Sequence, residues 1–189
     1  MKPSLPRSAV RIFVAALLAL SGEAGTLRAA SSGHQLDYQI KAAYIYNFAK
    51  FVQWPPPPLA GGREFRVGVL GDPDSFAIIA DTLRGKQVGG HPLEVVLLGS
   101  DAQAASCRVV FILRTSSLTP AQFHAHLRSA PVLLVGEKEG FAEAGGDIGF
   151  VPRGDNLRYQ VNLAAAQQAG LRLSGQLANL AELVRGPAQ

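Results

Sequence analysis

Four histidines and one cysteine are the residues of this chain best suited to metal or nucleophilic chemistry. They are His34, His91, His124, His126 and Cys107. His124 and His126 are two residues apart in a predicted helix, so their side chains diverge by about 200° and cannot share one metal ion. No serine lies in a Gly-x-Ser-x-Gly motif, and Cys107 lacks the flanking residues of a cysteine protease. We therefore predict no catalytic residue and no metal site.

Two loops that follow predicted strands are the next candidates for binding chemistry. Gly68 and Gly71 have the spacing of neither the P-loop nor the dinucleotide fingerprint. A helix that starts after Gly71 would offer backbone N–H groups to an anion, but Asp72 would repel it. Glu137 follows a later strand, where α/β proteins often place ligand-contacting groups, although a solvated loop is the simpler interpretation. We predict no bound cofactor.

Cys107 is the only cysteine, so no internal disulfide can form. In an oxidising compartment it must be buried and inert, or available to another chain. The apolar run over residues 109–113 follows it almost directly. We predict that Cys107 is unpaired and buried at the start of a strand, in a domain held together by core packing.

Residues 1–24 have the order of a secretory signal peptide. Basic residues precede the uninterrupted apolar run Ile12 to Leu20, and small residues follow it. Nine apolar residues are too few to cross a bilayer, which needs about 20. We predict cleavage after Ala24, with Ser21 as the competing site, then a flexible N-terminus over 25–35 and one domain over 36–186.

The charge of the chain argues against nucleic acid as a partner. Loss of the predicted signal peptide removes three basic residues and Glu23, so the formal net charge falls from +4 to +2. The remaining basic residues are spread singly rather than clustered into a patch. No second long apolar segment is present, so we predict no direct membrane insertion.

The segment KAAYIYNFAKFVQWP, residues 41–55, is predicted to be an amphipathic helix that ends at a run of prolines. Periodicity places an aromatic stripe on one face, with Asn47 at its centre as a structural latch that needs its amide satisfied. Tyr46 and Lys50 lie away from this stripe, and we predict that they contact a partner protein. The predicted structural face comprises Tyr44, Asn47, Phe48, Phe51 and Trp54.

The remaining chain alternates between strands and helices. Apolar runs start at Phe65, Leu93, Arg108 and Val132, with helical or turn segments between them. This pattern predicts an α/β domain with a central, mainly parallel sheet and helices on both faces. The runs Ile148 to Val151 and Arg158 to Leu163 flank a turn at Pro152 to Asp155, and they predict a C-terminal hairpin at a sheet edge.

Six segments in order carry a resemblance to a known family: KAAYIYNFAKFVQWP, FRVGVLGDPDSF, LRGKQVGGHPLEV, CRVVFI, GFAEAGGDIGFV and RYQVNLAAAQQAGLRLSGQLANLAELV. Together they resemble the YfiR family from about Lys41 to Val184. The resemblance implies a periplasmic, non-enzymatic α/β regulator that represses an inner-membrane diguanylate cyclase by contact with its periplasmic domain. It also implies control of cyclic di-GMP and biofilm formation, release by an outer-membrane YfiB-like lipoprotein, and a tendency to form homodimers.

One departure from the family pattern concerns its paired cysteines. Relatives commonly carry one cysteine at the position of Cys107 and another where this chain has Gly68, so the resemblance implies that their bridge is missing here.

Two alternative functions stay open. One is a periplasmic small-ligand sensor that uses the strand ends near Gly71 or Glu137 and acts on another receptor such as a histidine kinase. The other is a hydrolase without a recognisable signature.

Overall fold

The computed structural model of the chain describes residues 23–55, 64–127 and 130–186. The predicted signal peptide lies outside the described residues except for its last two positions. Among the described residues, the boundary between two units lies between Tyr38 and Gln39. Helix α1 comprises Glu23–Phe51. Residues 25–35 are helical, because alanine, leucine and arginine over 27–30 favour a helix. The flexibility of this segment stays a prediction.

The second unit contains short strands that alternate with helices. In chain order these are β1 Val52–Gln53, β2 Phe65–Leu70, α2 Pro73–Leu83, β3 Gln87–Val88, β4 His91–Leu97, a 3-10 helix Asp101–Ser106, β5 Val109–Ile112, α3 Pro120–Leu127, β6 Leu133–Gly136, β7 Ile148–Arg153, β8 Asn156–Val161, α4 Leu163–Gln168, β9 Arg172–Leu173, α5 Gly175–Asn179 and β10 Glu182–Leu183.

Eight of these strands form one sheet in the order β10-β8-β7-β6-β5-β2-β4-β3. The strands from β4 to β7 across its centre are parallel, β3 is antiparallel to β4, and β10 is parallel to β8. β7 and β8 form the predicted antiparallel hairpin, with Arg153 opposite Asn156 beside its turn. β5 and β6 are buried along their whole length, as expected of parallel strands covered on both faces. The predicted α/β architecture is therefore confirmed.

The two faces of the sheet carry different packing layers. On one face, Tyr44 and Phe48 of α1 pack against Phe150 and Tyr159 with ring centroids 5.0–5.9 Å apart. On the other face, α3 and the 3-10 helix cover a second apolar cluster: Leu70, Leu98, Ala104, Cys107, Val110, Ile112, Phe123, Leu127, Val132, Leu134 and Phe141. Alternation along β5 sends Phe111 to the first layer and Val110 to the second, so both layers share the same central strands.

Three of the helices begin with a side-chain cap. Asp72 caps α2 and accepts a hydrogen bond from Ser75 N at 2.8 Å. Asn162 and Ser174 cap α4 and α5. Asn162 also donates its amide to the carbonyl of Ala142 at 2.9 Å, which ties α4 to the loop before β7.

The buried face of α1 differs from the predicted aromatic stripe. Asn47 is exposed rather than at the centre of a buried stripe, which is the position predicted for it as a structural latch. Tyr44, Phe51 and Trp54 are only partly buried. The fully covered positions recur at spacings of three and four: Lys41, Ala42, Ile45, Phe48, Ala49 and Val52. Small alanines let the helix lie close to the sheet, and a lysine occupies a position that hydropathy alone assigns to the surface.

Candidate functional site

Tyr46 links helix α1 to the edge of the sheet at β3. Its hydroxyl donates to the backbone carbonyl of Gln87 at 3.2 Å. The ammonium groups of Lys50 and Lys86 lie 5.4 and 5.1 Å from the centre of its ring, within reach of a cation–π interaction. The structure thus adds Lys86 to the predicted pair Tyr46 and Lys50. Sequence reasoning missed Lys86 because it is 40 residues from Tyr46 along the chain. The role of Tyr46 and Lys50 in binding a partner stays a prediction.

Trp54 stands beside a pocket of about 400 Å³ at the end of α1. Its indole packs edge-to-face on Phe65, with ring centroids 5.7 Å apart, and the guanidinium carbon of Arg108 lies 5.9 Å from the indole centre. Burial lowers the pKa of Arg108 from its ordinary value. The indole Nε1 is buried and has no hydrogen-bond partner among the described residues. The pocket is lined by Ala49, Lys50, Val52, Trp54, Pro55, Phe65, Val88, Gly89, His91 and Arg108.

Glu137 is buried, so its assignment to a solvated loop was wrong. It directly follows β6, and its Oε2 forms an ion pair with Lys41 Nζ at 2.5 Å. Its Oε1 accepts a hydrogen bond from the backbone N–H of Arg114 at 2.7 Å. The neighbouring Lys138 donates to the carbonyl of Ser116. Glu137 therefore holds α1 to the loop after β5, and its carboxylate is occupied by protein groups rather than presented to a ligand.

A cleft of about 910 Å³ opens at the carboxyl ends of β2, β4 and β5. The chain reverses its direction across the sheet at β2, and this is where doubly wound sheets place their ligand crevices. Asp72 and Thr115 face each other here, with the threonine hydroxyl 3.2 Å from Asp72 Oδ2. Although partial burial acts to raise the pKa of Asp72, hydrogen bonds from Ser75 and Thr115 outweigh it and lower that pKa. An ionised carboxylate at this helix start disfavours an anion, as predicted from sequence.

The remaining sequence candidates are separated in space. His126 Nδ1 lies 2.8 Å from Asp101 Oδ2, whereas the side chain of His124 is outside the described part of the structure. Cys107 is buried, as predicted, and burial raises the pKa of its thiol, which makes it a poor nucleophile. Across the described residues, no group of three or more histidine, cysteine, aspartate or glutamate side chains is arranged to hold a metal ion. None of the described helices has the length and apolar character needed to cross a membrane.

Asp147 is a buried acid that sequence reasoning missed. It is fully inaccessible and lies between β6 and β7, where its Oδ2 accepts from Leu134 N at 2.7 Å. Its Oδ1 has no hydrogen-bond partner among the described residues. Burial raises its pKa to about 7. The Gly145-Gly146-Asp147 sequence gave no signal of this, because an aspartate after glycines is typical of an exposed turn.

The fold defines a mixed α/β protein with a mostly parallel central sheet. A family model described as YfiR/HmsC-like matches residues 38–182. The chain belongs to this family of periplasmic regulators of cyclic di-GMP signalling, a regulatory family without a recognised catalytic role.

Similarity to a solved structure is limited to the fold. A conserved domain protein from Vibrio cholerae O1 biovar El Tor strain N16961 aligns with a TM-score of 0.50 at 12% sequence identity. The alignment covers 63% of this chain and 54% of that one, so this chain spans about half of the length of that neighbour. No curated protein matches the sequence.

Proposed function

We propose that this protein represses an inner-membrane diguanylate cyclase by binding its periplasmic domain, and thereby lowers cyclic di-GMP. The observation that carries the proposal is the family match over residues 38–182, which includes helix α1 from Tyr38 onward and all of the sheet except Leu183 of β10. The signal peptide predicted over residues 1–24 would deliver the protein to the periplasm. A YfiB-like lipoprotein of the outer membrane would release the repression by competing for the same regulator.

The mechanism is a population shift. A regulator that binds the inactive arrangement of the cyclase more tightly than the active one lowers activity without touching the nucleotide. A rigid binding surface suits this task, because a surface that is already ordered loses little entropy on binding. The buried pair Lys41 and Glu137 and the Tyr46 hydroxyl bond to β3 hold α1 rigidly on the sheet.

The test is to delete the gene in its native host and measure cyclic di-GMP, together with affinity purification of the tagged protein from membranes. We expect cyclic di-GMP to rise and a diguanylate cyclase to copurify. Complementation with the wild-type gene controls for effects on neighbouring genes. Unchanged cyclic di-GMP, with no cyclase copurified, would show that the proposal is wrong.

The cleft at the carboxyl ends of β2, β4 and β5 favours a second candidate, a small-ligand sensor. Its volume of about 910 Å³ and its place at the switch point of the sheet suit a metabolite. A ligand at 100 times its dissociation constant stabilises the native state by about 2.7 kcal/mol. Stabilisation of the native state by about that free energy with one metabolite, measured by thermal unfolding, would support the sensor if Thr115→Val in the cleft reduces it.

A further inference from the structure

The described surface with the clearest chemical preference lies at the end of α1. It comprises Tyr46, Lys50, Trp54, Lys86 and Arg108, and we call it the lysine–tryptophan surface. We propose that it docks an acidic segment of a partner protein and takes one apolar side chain of that segment into the pocket beside Trp54. The inference rests on the proposed function for the partner being a protein, and it specifies the chemistry that this partner must present.

The charges around the surface all favour an acidic partner. Lys50 is exposed and Lys86 partly buried, and both ammonium groups lie over the ring of Tyr46. Arg108 lines the pocket next to Trp54. Among the described residues that line this pocket, none is an aspartate or a glutamate. Grouped charges of one sign attract the opposite charge over several ångströms and orient its approach.

The pocket supplies the apolar part of the contact. Its volume of about 400 Å³ is in the range of ligand pockets. Val52, Phe65 and Val88 provide apolar walls, and Trp54 and Arg108 stand at one side. Tryptophan, tyrosine and arginine are the residue types that most often dominate the binding energy of protein interfaces. A buried apolar anchor surrounded by lysines is therefore the contact that this surface fits.

The Trp54 indole adds a directional requirement. Its Nε1 is buried in the described structure without a hydrogen-bond acceptor. Most buried indole N–H groups have a partner. Because the Nε1 is covered in this structure, a backbone carbonyl or a carboxylate of the docked segment would reach it only after the Trp54 side chain rotates. A purely electrostatic contact between lysines and acids would leave it unsatisfied.

Trp54 is the only tryptophan of the chain, so its fluorescence reports directly on the pocket. The probe is a synthetic peptide with one phenylalanine among glutamates, titrated into the purified protein with excitation selective for tryptophan. We expect a saturable change in Trp54 emission that weakens as salt rises from about 0.05 to 0.5 M, because salt screens exposed charges. A peptide with glycine for phenylalanine and one with lysines for glutamates should each bind at least about tenfold more weakly.

Charge reversal on the protein tests the location of the contact. Lys50→Glu and Lys86→Glu should each weaken peptide binding about tenfold. Arg158→Glu changes an exposed basic residue on β8 that does not line the pocket, and it should leave binding unchanged. Equal loss with Arg158→Glu, or equal binding of the lysine peptide, would overturn the proposal. A stronger emission change with vesicles of an anionic phospholipid than with the acidic peptide would also overturn it in favour of a membrane contact.

In cells, the inference and the proposed function fail differently. If gene deletion leaves cyclic di-GMP unchanged, the repressor function is wrong. If deletion raises cyclic di-GMP but the Lys50→Glu and Lys86→Glu genes complement as fully as wild type, the repressor function holds and the lysine–tryptophan surface is not the contact. Failed complementation by both reversals, with normal complementation by Arg158→Glu, supports both.

Discussion

Lys41 and Glu137 form an ion pair of 2.5 Å in the interior, with both side chains at most 3% exposed. They are 96 residues apart in sequence, and their contact joins helix α1 to the carboxyl end of β6. The Arg114 backbone N–H satisfies the second oxygen of Glu137. A buried charge pair contributes specificity only when both charges and their remaining hydrogen bonds are matched. We therefore expect this pair to fix the register of α1 on the sheet.

Removal of one member of this pair should strongly destabilise the fold. Lys41→Met keeps the apolar stem but removes the buried cation of Glu137, whose Oε1 then has the exposed Arg114 guanidinium at 3.8 Å and the Arg114 N–H. Loss of one member of a buried ion pair typically costs about 3–5 kcal/mol. The double variant Lys41→Met with Glu137→Gln should recover part of this loss, since no uncompensated charge remains. Urea unfolding of both single variants and the double variant measures the coupling. A loss below about 1 kcal/mol in Lys41→Met would contradict this account.

A matched control uses the exposed pair Arg153 and Glu182, joined at 2.6 Å across the sheet edge. Hydrogen bonding to Arg153 lowers the pKa of Glu182, but solvent screens the interaction. Glu182→Gln should therefore change the urea midpoint much less than Lys41→Met does. The contrast separates the effect of burial from the mere presence of an ion pair.

The observed buried face of α1 leads us to expect opposite effects on stability from substitutions at two adjacent residues. Phe48 is fully buried between Phe150 and Tyr159, and Phe48→Ala should cost about 3–5 kcal/mol. Asn47 is exposed, and Asn47→Ala should change stability by no more than about 0.5 kcal/mol. Chemical denaturation of the two variants checks both values. A large loss in Asn47→Ala would restore its role as a latch.

The central strands were predictable from sequence, whereas the face of α1 was not. Runs such as RVVFIL are apolar on both sides, and parallel strands covered on two faces require this. The helix was misassigned because aromatic residues dominate a count of hydropathy, while its tightest contacts use Ala42, Ala49 and the stem of Lys41. Burial of a lysine depends on Glu137, and no local pattern reveals a partner so distant in sequence.

The lysine–tryptophan surface could be predicted only in part, because some of its residues are distant from one another in sequence. Tyr46 and Lys50 share one helix, and their spacing of four places them together. Lys86 and Arg108 join them only because the β3 hairpin and the start of β5 lie beside the end of α1. Sequence periodicity describes one element at a time, so it cannot show which elements meet.

Gly68 and Cys107 lie close enough for an engineered disulfide. A Cβ added at Gly68 would be 2.9 Å from Cys107 Sγ, near the roughly 3 Å between these atoms in a disulfide. We expect Gly68→Cys to form the bridge and to stabilise the fold by about 4 kcal/mol through closure of a loop of about 40 residues. Displacement of the Leu98 methyl, 2.7 Å from that Cβ, would offset part of the gain.

Thiol titration and thermal unfolding with and without reductant measure the bridge. The control is Gly68→Ser, which introduces the same crowding against Leu98 without a thiol. When the thiols are titrated after unfolding in denaturant without reductant, the oxidised Gly68→Cys protein should have no free thiol, because both positions are buried in the folded state. The oxidised protein should lose stability on reduction, whereas Gly68→Ser should not respond to reductant. Two thiols titrated in the unfolded, unreduced Gly68→Cys protein would show that the strands do not hold these positions together.

The buried carboxyl of Asp147 should make the stability of the fold depend on pH, and its burial sets the sign of that dependence. Its pKa is raised from 3.8 to about 7 because desolvation of the carboxylate outweighs the hydrogen bond from Leu134 N. Between these values the native state binds a proton that the unfolded state has released. The contribution of Asp147 to stability is therefore greatest below about pH 4, falls as the pH rises, and is fully lost above about pH 7. The shift of about three pKa units corresponds to a loss of the order of 4 kcal/mol.

Asp147→Asn isolates this effect. The amide keeps an acceptor for Leu134 N and cannot ionise, so the variant should lack the decline in stability that Asp147 causes between about pH 4 and 7. Urea unfolding of both proteins across that range gives the difference directly, because titration of all other groups cancels. We expect the two stabilities to converge near pH 4 and the variant to be the more stable at pH 8. A difference that does not change with pH would show that the Asp147 carboxyl is not the group that titrates.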